Sequence, residues 1–78
     1  MAQHIKLELV FRTKSGVDLF ASVDQKSQEV VAFHSSNKDE VFKALKQDLC
    51  SSNPMDRNWA TMLYVNAKTL GIKHIQRD

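Results

Sequence analysis

Residues 29–49 read EVVAFHSSNKDEVFKALKQDL, and the spacing of apolar side chains changes inside this stretch. Up to Phe33 the run is short and rich in β-branched and aromatic residues, as a strand requires, with Val31 and Phe33 expected on one face. From Asn37 onward Val41, Phe42, Leu45 and Leu49 fall on one helical stripe, while Asp39, Lys43 and Gln47 lie opposite. Ser36 or Asn37 can cap that helix, with Asp39 or Glu40 three residues further on. The spacing therefore predicts a strand that runs into a helix over about residues 37–50.

Upstream of this switch the pattern has a period of two. In HIKLELVFRTKSG (4–16) Ile5, Leu7, Leu9 and Phe11 alternate with Lys6, Glu8 and Arg12. Gly16 tolerates the positive φ of a tight turn, so a hairpin leads into VDLFASVD (17–24), with Val17, Leu19, Ala21 and Val23 on one face. A polar connection, DQKSQ (24–28), joins this to the strand EVVAFH (29–34). Three short strands with short polar links predict an antiparallel meander.

Downstream, CSSNP (50–54) ends the first helix. Asn53 followed by Pro54 starts a second, because proline is tolerated best at the first helical position. That helix covers MDRNWATMLYVNAKTL (55–70) and stops at Gly71, read as a left-handed cap. The closing IKHIQRD (72–78) is either a short fourth strand or a frayed end. The fold class is thus α+β: a three-stranded antiparallel meander followed by two helices packed on one face, in the order β-β-β-α-α-(β).

With 78 residues, 42% of them hydrophobic and 26% charged, the chain reads as a single small globular domain over residues 1–78. A domain of this size buries only about 60% of the surface its unfolded chain exposes, which favours a binding surface over a deep cleft. No apolar run is long enough for a membrane span and no leader pattern opens the sequence. A lone cysteine suits a reducing compartment, so the expected location is cytoplasmic. The net charge of +2 arises entirely after residue 53, where four basic side chains face two acidic ones.

Two contact surfaces are expected. On the second helix Met55, Trp59, Met62, Leu63 and Leu70 gather within about a third of the circumference, which assigns them to the core with Trp59 as an anchor. Asn66 lands in the same stripe and would need buried hydrogen-bond partners. Arg57, Thr61, Tyr64 and Lys68 then form an exposed line on the opposite side, a residue set suited to a protein contact or to base stacking beside phosphates. The ordinary alternative is a solvated helix face. On the sheet, Leu7, Leu9, Leu19, Val31 and Phe33 are assigned to the helices, leaving Val10, Phe20, Val30 and Ala32 as an apolar patch for a homodimer or another partner.

Little supports chemistry. Cys50 sits at a helix C-terminus near Asp48, where both the dipole and the carboxylate disfavour a thiolate. His4, His34, His74 and Cys50 lack metal-ligand spacing, and no cofactor motif is present. In HSSNKDE (34–40) the serines and acids are explained by capping rather than by a Ser-His-acid set. With only Gly16 and Gly71, no glycine-rich phosphate loop exists.

The meander-then-helices outline is loosely similar to several phage-encoded inhibitor proteins, some anti-CRISPRs among them, a resemblance of architecture that implies action by occupying a partner's surface. The expected function is a non-enzymatic binding or regulatory protein acting by protein–protein contact. The alternative is a nucleic-acid-binding module using Arg57, Lys68, Lys73 and Arg77 of the basic C-terminal third.

Overall fold

The computed structural model describes residues 4–75. Strands β1 (Ile5–Arg12), β2 (Asp18–Asp24) and β3 (Glu29–Ser35) form the expected antiparallel meander. Helices α1 (Lys38–Asp48) and α2 (Pro54–Leu70) follow, and a short β4 (Ile72–His74) completes a four-stranded sheet of order β1-β2-β3-β4. Strand β4 runs parallel to β3, with Phe33 beside Ile72. The helices therefore form the crossover that parallel pairing demands. Of the closing segment, residues 72–74 are strand, and residues 76–78, Arg77 among them, lie outside the described residues.

Local chemistry explains the element ends. Thr13 closes the β1–β2 turn by accepting from the Gly16 amide and, through its hydroxyl, from the Val17 amide, with Gly16 at φ +94°. Across the same hairpin end Arg12 pairs with the largely buried Asp18, whose hydrogen bond and charge raise the guanidinium pKa. Asn37 caps α1 by accepting from the Glu40 amide at 3.2 Å, and Asn53 caps α2 by accepting from the Met55 amide at 3.0 Å. Gly71 ends α2 at φ +78°, but its ψ of 166° is extended. It thus sends the chain straight into β4 instead of curling it as a left-handed cap does.

The core comprises Leu19, Ala21, Phe33, Val41, Leu45, Ala60, Leu63, Ala67 and Ile72. Val41 and Leu45 of α1 are fully buried, with Phe42 and Leu49 packed beside them, as the stripe predicts. The sheet face differs from the simple alternation. Leu9 pairs with Phe20 and Phe11 with Leu19, so Val10 is an extra residue in β1; Ser22 pairs with Ala32 and Val23 with Val30, so Val31 is extra in β3. Each bulge reverses the phase of its strand. Consequently Leu7, Leu9 and Val31, expected against the helices, are exposed, while Val10 and Val30, expected on the far face, pack against the core.

The phase of α2 is also corrected. Its buried face is Ala60, Leu63 and Ala67. Two alanines there let the helix lie close to the sheet, whereas Trp and Met at those positions would hold it away. The stripe of bulkier residues is displaced to the flank, so Met55, Trp59, Met62 and Leu70 are exposed rather than core. Asn66 is exposed as well and needs no buried partner.

Candidate functional site

The displaced stripe makes α2 the most conspicuous surface of the molecule. Met55 is 80% exposed, Trp59 45% and Met62 44%. Their i, i+4, i+7 spacing puts them on one line of the helix. Tyr64, about 140° further round, packs toward α1, so this line lies on the flank away from α1. There the Trp59 indole donates to the Val10 carbonyl at 3.0 Å. Val10 is the bulged residue of β1, and a bulge leaves a ladder position unpaired, which makes its carbonyl an available acceptor. The indole is thereby fixed in orientation while its ring remains partly in solvent.

The line expected to carry function is arranged otherwise. Arg57, Thr61 and Lys68 are exposed, but Tyr64 is half-buried. Its ring meets Phe42 of α1 edge-on at 5.9 Å, and the Lys68 ammonium lies 5.3 Å from the Phe42 ring centre and 5.7 Å from that of Tyr64. Arg57 donates to the Ser51 carbonyl ahead of the helix, and the Thr61 hydroxyl donates to the Arg57 carbonyl within it. The phenol is therefore a bridge between the helices. Of the cations named for the nucleic-acid reading, Lys68 is engaged with two rings and Lys73 is exposed on β4.

The second expected surface exists with different members. The sheet face turned from the helices carries Ile5, Leu7 and Leu9 of β1, all exposed, with Phe20 beside Leu9 and Ala32 beside Ser22. Phe20 and Ala32 belong to the patch as expected, and Val10 and Val30 do not. Within it the Ser22 hydroxyl and His34 Nε2 are 2.8 Å apart. His34 is thus turned from Ser35 and Ser36, and Glu40 accepts from Ser15, which leaves no Ser-His-acid set in residues 34–40.

A concavity of about 240 Å³ lies where β3 enters α1, lined by Ser35–Asp39, Ile72 and His74. The Ser35 hydroxyl there accepts from the Asn37 amide and serves the turn. Among the described residues no group of three or more His, Cys, Asp or Glu side chains could hold a metal, and no helix is long and apolar enough to cross a membrane. Cys50 is free and exposed.

Sequence reasoning named Met55, Trp59 and Met62 but assigned all three to the core. The available signal was the alanine pair, Ala60 and Ala67, seven apart and bracketing Leu63. Comparison with protein-family models, with curated proteins and with solved structures finds no match.

Proposed function

We propose that this chain is a non-enzymatic binding protein that acts by protein–protein contact through the α2 flank formed by Met55, Trp59 and Met62. The observation that carries the reading is the indole held by the Val10 carbonyl with its ring partly exposed between two exposed methionines. Tryptophan contributes large contact area at low entropic cost, and methionine adapts to the partner's contour. A regulatory or inhibitory role, in which the chain occupies a surface another molecule needs, is consistent with a domain this small. The resemblance to phage-encoded inhibitors points the same way.

Affinity capture from native cytosol with wild-type protein and with Met55→Asp and Met62→Asp variants tests this. Loss of the same captured protein from both variants, with circular dichroism unchanged, is the expected result. Capture unaffected by either substitution removes the α2 flank as the contact surface.

A further inference from the structure

The two edges of the sheet are unequal. Strand β4 is three residues long, whereas β1 is eight, contains no proline and, among the described residues, pairs only on its β2 side. A long free edge bearing apolar side chains is a template for another strand. The His4 carbonyl already accepts from the Gln25 amide, and backbone groups alternate sides along a strand. The N–H and C=O groups of Ile5, Leu7 and Leu9 therefore point out of the free edge, up to the bulge at Val10.

We propose that a second copy of this chain adds to the sheet at β1, antiparallel, with Leu7 opposite Leu7 of the second copy. In that register Ile5 faces Leu9 and Leu9 faces Ile5, so every pair with outward backbone groups exchanges both of its N–H···O bonds. Between them Lys6 faces Glu8 of the second copy, and Glu8 faces its Lys6. Opposite charges then stand at the non-hydrogen-bonded positions, where side chains approach most closely.

Charge also rejects the neighbouring registers. Moving the dyad one residue toward the N-terminus puts Lys6 opposite Lys6, and moving it one residue the other way puts Glu8 opposite Glu8; like charges directly opposed are destabilising. Half-step registers set outward-pointing residues against inward-pointing ones and mix the apolar and charged faces. The bulge at Val10 ends the pairing segment on one side. The sequence IKLEL (5–9) is thus complementary to itself in one register only. Within one copy Lys6 Nζ and Glu8 Oε1 are 3.6 Å apart and both side chains are exposed, so neither charge is committed to the core.

The product is a continuous eight-stranded sheet, twice the four strands of one copy. This inference rests on the β1 edge and its test varies Lys6, Glu8 and Leu7 rather than Met55 and Met62, so the two readings fail separately.

Sedimentation equilibrium of the full chain over a range of concentrations is the test. Wild type is expected to dimerise. Lys6→Glu alone and Glu8→Lys alone each oppose like charges at both pairs and weaken dimerisation by about tenfold or more. Mixing the two variants restores opposite charges at both pairs, so the mixture regains association that neither shows alone. Leu7→Pro removes an outward N–H without touching the β1–β2 ladder and abolishes the dimer. A wild type that stays monomeric throughout, single reversals that dimerise as wild type does, or a mixture no better than its components would each overturn the proposal, with circular dichroism confirming that every variant is folded.

Discussion

Trp59 on α2 donates its indole N–H to the carbonyl of Val10 on β1, 3.0 Å away and 49 positions earlier in the chain. The bond joins the helical layer to the edge strand at its bulge, where the β1–β2 register shifts and the ladder is interrupted.

Replacing Trp59 with Phe keeps an aromatic ring but removes this donor together with part of the ring. The expected loss of stability is about 1 kcal/mol, the usual contribution of one such bond. Urea unfolding followed by circular dichroism measures it, since the variant has no tryptophan to report by fluorescence.

The phase of α2 is tested by neighbours. Leu63 is 3% exposed and Met62 44%. Leu63→Ala should destabilise by about 2–5 kcal/mol, and Met62→Ala should stay within about 0.5 kcal/mol. Equal effects, or the reverse order, in chemical unfolding would contradict the burial described above.

Gly71 combines φ +78° with ψ 166°, a region open to glycine almost alone. An added Cβ would meet nothing within 4 Å, so the penalty of substitution is conformational and not steric. Gly71→Ala is expected to lower stability by about 1–3 kcal/mol. Gly71→Asn should be no better, although asparagine commonly replaces glycine in left-handed caps. Thermal unfolding of both variants checks the distinction.

Tyr64→Ala should behave as a stability variant. Its edge-on packing against Phe42 predicts a loss of at least about 1 kcal/mol beyond that of an exposed helix position. A shift in unfolding midpoint comparable to that of Thr61→Ala would show that the ring contact contributes little.

The elements themselves were legible because each carries a local cause. The alternation of residues 5–11, Asn37 ahead of the α1 stripe, and Asn53–Pro54 ahead of α2 all act through near neighbours, and each element appears where it was expected. What was not read was which side β1, the first half of β3 and α2 present. One additional residue at Val10 and another at Val31 reverse strand phases, and nothing in the composition of either strand marks the insertion. In α2 the choice between Trp59 and the Ala60–Leu63–Ala67 face depends on how near the helix sits to the sheet, a property of the assembled layers. The contact residues follow those phases, so Arg57, Thr61 and Lys68 are exposed while Tyr64 is half-buried.

Strand β4 has a kinetic consequence. Its ladder partner is β3, yet both helices intervene in the chain. The hairpins of the meander close over short loops, but Phe33 meets Ile72 only after α1 and α2 have been laid down, and closing so long a loop is the slower event. During synthesis the meander can therefore emerge and pair early, while one side of Phe33 waits uncovered until Ile72 has left the ribosome.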